Sequence, residues 1–257
     1  RLESNTGLAV DARILRPAES SDKLPVVLLV GGHRTGKDAV ERVGRASGIA
    51  FAAIDYPYHG EQALSRFAGS VAAIPAVQRA FLDSPPAVLM ALNWLLEQPW
   101  ADEQRIELAG VSLGVPFAAP AGALDARFSR VWLMHGGGDN VHWVAGNLHD
   151  EIESDLLRQL VARIALFTVY GNSFDTRRWI PEIAPRPLII VMARDDDFVP
   201  REAQQPMLEA ARQPNVELLW TQGKHIGPRR EDELRQLLAL VRDRMAETEI
   251  EMIDSLQ

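Results

Sequence analysis

The residues with the most chemical potential in this chain are Gly110-Val-Ser112-Leu-Gly114, the run Asp195-Asp196-Asp197, and His225. A serine hydroxyl is a weak nucleophile until a neighbouring base takes its proton and a carboxylate orients that base. Ser112 stands between two glycines, with a strand-like run from Arg105 to Ala109 leading in and a helix-compatible run from Val115 to Ala123 leading out. A sharp strand-to-helix turn there would lift the hydroxyl clear of a sheet. The flanking glycines leave room for the turn and for a substrate, and the following helix aims its first amides at the same point. His225 follows the strand-like Val216 to Trp220 and is the only histidine after position 149. The three aspartates follow the strand-like Leu188 to Met192. One carboxylate suffices to orient a histidine. Position alone leaves Asp195, Asp196 and Asp197 open, the other two being free to cap the next helix or stay solvated.

These groups need a scaffold that brings three distant positions to one edge. Pro25 to Val30 and Ile49 to Asp55 are continuous apolar runs, as expected of strands buried on both faces of a parallel sheet. Further strands are expected at Leu8 to Arg16, 105–109, 130–134, 187–193 and 216–220. Helices are expected near Lys37 to Ala46, over Ala87 to Gln98 opened by Pro85-Pro86, and over 230–247. Such alternation predicts an α/β fold, a mostly parallel doubly wound sheet with helices on both faces, as a single domain over residues 1–257. In that fold functional groups gather at the carboxyl ends of strands, and the order Ser, acid, His along the chain fits it. The 54 positions from Met134 to Leu188 exceed one crossover helix. They hold Gly136-Gly-Gly138, the aromatics Trp143, Phe167 and Tyr170, and a helix-like Ile152 to Phe167. Residues 138–183 are therefore expected to form a cap or lid over the catalytic edge.

Composition narrows the function classes. The chain has 257 residues, 47% of them hydrophobic, and a net charge of −8 with no basic block, which argues against nucleic-acid or anionic-membrane partners. The mean hydropathy of −0.09 is ordinary for a water-exposed globule, and the longest apolar runs have strand length, too short to span a bilayer. Cysteine is absent, which removes disulfides, thiolate zinc sites and cysteine nucleophiles. The first residue is Arg1 rather than Met; a signal peptide or a tag with native leader removed upstream would explain it, and the compartment stays undecided between cytoplasm and export.

Two other motifs compete. Gly31-Gly-His-Arg-Thr-Gly36-Lys37 after a strand matches most of a phosphate-binding loop and would make the chain a nucleotide-binding protein. It breaks at Asp38, where a Ser or Thr should bind magnesium and where a carboxylate would face anionic phosphates. His135, His142 and His149 recur every seven positions beside Asp139 and Asp150, but no close histidine pair accompanies them, so lining or capping a cleft is the preferred reading and no metal is expected.

At these residues the chain resembles the α/β-hydrolase superfamily, in particular its dienelactone-hydrolase-like and carboxylesterase-like members. Lys23-Leu-Pro-Val-Val-Leu-Leu-Val-Gly-Gly is similar to the strand entering the oxyanion loop. Ala53-Ile-Asp-Tyr-Pro-Tyr-His-Gly-Glu is similar to the family's Asp-x-Pro-x-His-Gly turn, and Trp94 to Gly114 to the helix and strand that deliver the nucleophile. The family's Asp-x-x-Val-Pro segment, laid on Val199-Pro200, selects Asp196 as the acid, with Asp195 in reserve. The resemblance implies carboxylic ester hydrolysis through an acyl-enzyme by Ser112, His225 and Asp196. Thioesterase, amidase or peptidase activity on the same three groups is the alternative. It implies backbone amides of Leu113 and His33 as oxyanion donors, substrate contacts from Gly32, Tyr58 and Trp143, no cofactor, and a small-molecule ester as the partner. An edge strand or lid helix could also pair two copies of the chain. Two departures stand out: Gly31-Gly32 replaces the usual His-Gly pair, and Val115 stands where a second glycine commonly follows the elbow.

Overall fold

The computed structural model describes residues 1–18, 23–32, 35–43, 48–58, 73–227 and 229–254, the last seven as backbone. A two-stranded antiparallel ribbon, β1 (Leu2–Glu3) and β2 (Ala9–Val10), precedes the main sheet. That sheet contains β3 (Ala12–Leu15), β4 (Leu24–Val30), β5 (Ala50–Ile54), β6 (Ala101–Val111), β7 (Arg130–Met134), β8 (Leu188–Ala193) and β9 (Val216–Thr221), in the order β3-β5-β4-β6-β7-β8-β9. Only β3 runs antiparallel to its neighbour. Every residue of β4, β5 and β8 is buried, which is why their sequences are unbroken apolar runs rather than alternating ones.

Helices cover both faces: α1 (Ala39–Val43), α2 (Ile74–Leu96), α3 (Val115–Leu124), α4 (Asn140–Gly146), α5 (Asp155–Thr168), α6 (Thr176–Ile183), α7 (Arg201–Ala210) and α8 (Glu231–Asp254). One core layer joins the sheet to α2, α3 and α6 through Leu92, Leu95, Phe117 and Ile180. The other joins it to α1 and α8 through Val40, Phe51, Trp132, Leu237 and Val241. The doubly wound α/β architecture expected from the sequence is thus the observed one.

The clearest difference lies in α2. Pro85-Pro86 does not open this helix; both prolines sit inside it. The buried stripe Val77, Ala80, Ser84, Val88, Leu92 and Leu95 keeps one helical phase across the pair, so packing outweighs two missing N–H donors. Ser84 Oγ donates to the Ala80 carbonyl at 2.6 Å. The expected helix near Lys37 to Ala46 is observed in part, its end at 44–46 lying outside the described residues. A 3-10 turn takes Gly36–Asp38 and α1 follows over Ala39–Val43.

Strand order also positions the site. From β4 the chain moves outward to β5, then crosses back to β6 and continues the opposite way to β7. The carboxyl ends of β4 and β6 therefore flank a crevice that neither connection covers, the place where doubly wound sheets bind ligands. Gly31-Gly32 follows β4 and Ser112 follows β6.

Candidate active site

The turn at Ser112 carries backbone strain. Val111 is extended, Ser112 has φ of 53°, and a 3-10 turn over Ser112–Gly114 leads directly into α3. A left-handed conformation at a non-glycine residue costs about 1–3 kcal/mol and persists only where its surroundings enforce it. The surroundings here are close backbones. A Cβ on Gly114 would lie 2.0 Å from the Val30 carbonyl oxygen, and one on Gly110 would lie 2.5 Å from Ala118 Cβ. Only glycine fits either place, so the two glycines let β4, β6 and α3 converge beneath the hydroxyl.

Ser112 is 7% exposed, and its Oγ lies 2.7 Å from His225 Nε2. His225 Nδ1 lies 2.9 Å from Asp196 Oδ2, with both side chains nearly inaccessible. The carboxylate is held in turn. Asp196 Oδ1 accepts the amides of Phe198 at 2.9 Å and Val199 at 2.7 Å. With Nδ1 donating to that carboxylate, Nε2 is left as the acceptor for the serine proton, the arrangement that activates a hydroxyl for attack on a carbonyl. Three strands supply these groups: Ser112 directly after β6, Asp196 three residues beyond β8, and His225 four beyond β9.

The three adjacent aspartates have separate environments. Asp195 is exposed. Asp197 faces Arg230, paired at 2.8 Å through each carboxylate oxygen, and the guanidinium holds its carboxyl below the usual range. Asp196 alone turns inward. Arg230 also donates to the His225 carbonyl, so the Asp197–Arg230 pair braces the histidine loop from outside.

His135 braces that loop from inside. It follows β7 with φ of 52° and is fully buried. Its Nδ1 accepts the Ile226 amide at 2.9 Å, so Nε2 carries the proton toward Thr221 Oγ1 at 2.9 Å, and Thr221 passes its own proton on to the Met192 carbonyl. Burial and the neighbouring His225 lower its pKa to about 4, keeping the ring neutral. Among the described residues, His135, Asp196 and His225 are the one group near enough to share a metal ion, yet each ring nitrogen already has a hydrogen-bond partner. Of the other histidines in the seven-residue series, His142 pairs with Asp139 and His149 with Asp150, both away from this cluster.

The remaining expected site residues divide. Gly32 touches Ser112; a Cβ there would be 3.3 Å from the serine Cβ. Leu113 sits in the first turn after Ser112, where its amide belongs to a helix N-terminus. His33 lies outside the described residues. Trp143 is buried against Val199 and Ala203 and meets the edge of Phe198 at 6.5 Å. Phe198 is the ring that faces His225, at 4.9 Å, and no periodicity or motif singled it out. Tyr58 is half-buried beyond β5 and is not among the residues lining the cavity at Ser112. Tyr56 has the structural role instead: its buried hydroxyl donates to the Gly31 carbonyl at 2.5 Å, and burial raises its pKa.

The phosphate-loop motif is also put to another use. The Lys37 amide donates to Asp55 Oδ1 at 2.9 Å and its Nζ to Asp55 Oδ2 at 2.5 Å, which raises the lysine pKa. The lysine ties the loop after β4 to the end of β5.

This arrangement of sheet and helices is shared with known solved structures. The chain has the α/β-hydrolase fold. A cold-adapted esterase from an Arctic intertidal metagenomic library superposes with a TM-score of 0.59 at 20% identity, covering 91% of this chain and 88% of that one. Est1E from Butyrivibrio proteoclasticus, solved with ferulic acid bound, gives 0.64 at 16% identity over 96% and 98%. The α/β hydrolase GrgF from Penicillium sp. sh18 gives 0.55 at 19% identity over 93% and 100%. No family model and no curated protein matches the sequence.

Proposed function

We propose that the protein is a serine hydrolase that cleaves carboxylic esters through an acyl-enzyme. The observation that carries this reading is the continuous chain from Ser112 Oγ through His225 to Asp196, at 2.7 and 2.9 Å, standing at the crevice of the α/β-hydrolase fold. In this reading Ser112 Oγ attacks the ester carbonyl carbon while His225 Nε2 takes its proton. Asp196 stabilises the imidazolium that results. The carbonyl oxygen becomes an oxyanion facing the Leu113 amide and, on the other side, the loop after β4, for which His33 is the proposed second donor. Collapse breaks the bond to the alcohol oxygen, which leaves with the proton from His225. Water, deprotonated by the same nitrogen, then releases the carboxylate and restores Ser112. Every step uses side chains and main-chain amides of this chain.

We read α4 and α5 as the mobile part of a cap within 138–183, with Trp143 transmitting its position to Phe198 and hence to His225. Support comes from α6, whose Ile180 and Ile183 are fully buried in the main core, whereas α5 turns Leu156, Leu160, Ile164 and Phe167 outward. The test of the proposed activity is hydrolysis of p-nitrophenyl acetate and butyrate by wild type and Ser112→Ala. Turnover by the wild type that disappears in the variant supports the reading. Equal rates from both, or thioester and amide turnover with no ester turnover, would refute it as stated.

A further inference from the structure

The two faces of α5 have opposite surroundings. Ala162 and Leu166 are its buried residues, and among the described residues the helix packs chiefly on α4 and on the 3-10 turn Gly171–Phe174. Leu156, Leu160, Ile164 and Phe167 follow one another at helical spacing, which places them in one stripe on the side opposite Ala162 and Leu166, with Leu157 and Val161 beside it. Leu156 and Phe167 are each 79% exposed, Ile164 58% and Leu160 51%. Of the twelve large apolar residues exposed among those described, six belong to this one helix. Apolar residues scattered singly over a surface need no explanation, but a contiguous patch does. Side chains of this size offer roughly 150–250 Å² each when fully exposed, so the six together present about 700 Å².

We propose that this stripe is where two copies of the chain pair, α5 against α5 about a two-fold axis. The area fits: a stable interface takes about 800 Å² from each partner, close to what the stripe presents. The symmetry fits as well, because a two-fold axis pairs a patch with itself and requires no second complementary surface. The charges set the direction. Asp150, Glu151 and Glu153 precede α5 and Asp155 opens it, whereas Arg163 stands in its second half. Parallel copies would set the acidic ends side by side; antiparallel copies bring each acidic end toward the Arg163 half of the other. The same acidic end is repelled by the anionic surface of a membrane. An axis passing between Leu160 and Ile164 sets Leu160 against the partner's Ile164 and Leu156 against the partner's Phe167. Apolar side chains then meet along about 17 Å of helix. Because α5 rests on α4, which holds Trp143 against Phe198, pairing fixes that helix too.

Sedimentation velocity of the full chain and three variants tests it, with far-UV circular dichroism to follow folding; no readout depends on catalysis. Wild type is expected to sediment as a dimer at about 10 μM. Leu160→Glu and Ile164→Lys each put a charge at the centre of the stripe and are expected to weaken dimerisation by about a hundredfold or more. Mixed together, these two variants are expected to recover dimer in part. Each introduced charge then faces the opposite one across the axis, while the second Leu160–Ile164 contact stays intact. Leu218→Glu, on the edge strand β9 where Leu218 is also exposed, is expected to leave the dimer unchanged. A monomeric wild type overturns the proposal; if that monomer floats with phosphatidylcholine vesicles, the stripe belongs to a membrane. A dimer kept by Leu160→Glu and lost by Leu218→Glu gives the pairing to the sheet edge and overturns it. A mixture that stays monomeric overturns the antiparallel arrangement. A Leu160→Glu chain that no longer folds shows the stripe to be covered within its own chain, and overturns it too.

Discussion

Gly136→Ala tests how the serine turn is supported. A Cβ on Gly136 would lie 2.6–2.7 Å from Cγ1, Cβ and Cγ2 of Val115. Carbon atoms in contact rest at about 3.5–4.0 Å, so one side must move by roughly 1 Å. Val115 is fully buried and opens α3, immediately after the 3-10 turn that holds Ser112. The helix start cannot slide toward β4, because the Gly114 backbone already packs on Val30. Gly136 has no left-handed φ, so alanine adds only this collision. Overpacking of this kind costs about 1–3 kcal/mol. A displacement of about 1 Å at the nucleophile costs on the order of 10²-fold in turnover. The reasoning also explains the departure at Val115: the space that a glycine would leave in the elbow helix is supplied across the contact by Gly136. Val115→Gly removes all three colliding atoms. In a double-mutant cycle, Gly136→Ala with Val115→Gly should be more stable than the sum of the single changes by about the same 1–3 kcal/mol, and should recover activity lost by Gly136→Ala alone. Urea unfolding followed by tryptophan fluorescence, with p-nitrophenyl acetate hydrolysis in parallel, measures both. A Gly136→Ala protein as stable and active as wild type, or a cycle with no coupling, refutes the argument.

Three further outcomes follow from the site. Asp196→Asn should reduce kcat by on the order of 10⁴ by disturbing the His225 tautomer, whereas Asp197→Asn, losing a half-exposed pair to Arg230, should cost at most about 1 kcal/mol of stability; comparing kcat and melting for the two separates the adjacent carboxylates. His135 stays neutral in the folded chain down to about pH 4 but binds a proton below its ordinary 6.5 when unfolded. Acid between those values favours the unfolded chain, so stability present above pH 6.5 is lost as the pH falls toward 4, by up to about 3 kcal/mol, and urea midpoints across that range should flatten in His135→Gln. Glu107, buried with Arg130 and accepting the Trp132 indole N–H at 2.6 Å, should cost about 3 kcal/mol when changed to Ala and much less as Gln, read from thermal melts.

The parts legible in the sequence are those where one local rule dominates. Continuous apolar runs marked β4, β5 and β8 because both faces of these strands are covered. The glycines around Ser112 marked the strained turn because no other residue fits there. The start of α2 was hidden because Pro85-Pro86 reads as a helix opening, and only the phase of Val77, Ala80 and Ser84 reveals that the helix began earlier. Spacing did not separate the three aspartates, since their different fates depend on the turn that closes Phe198 and Val199 onto one carboxylate and on Arg230, 33 residues away. His135 showed only as one of three spaced histidines; its partners, Thr221 and Ile226, come from β9 and the loop beyond it.

The most direct test of the central claim is covalent capture. Wild-type protein treated with an alkyl fluorophosphonate should gain the mass of one phosphonyl group, mapped by peptide mass spectrometry to the peptide holding Ser112, with loss of esterase activity in proportion. Ser112→Ala should remain unlabelled, and His225→Ala should label far more slowly. Labelling at another residue, or no labelling of an active wild-type enzyme, would contradict the account.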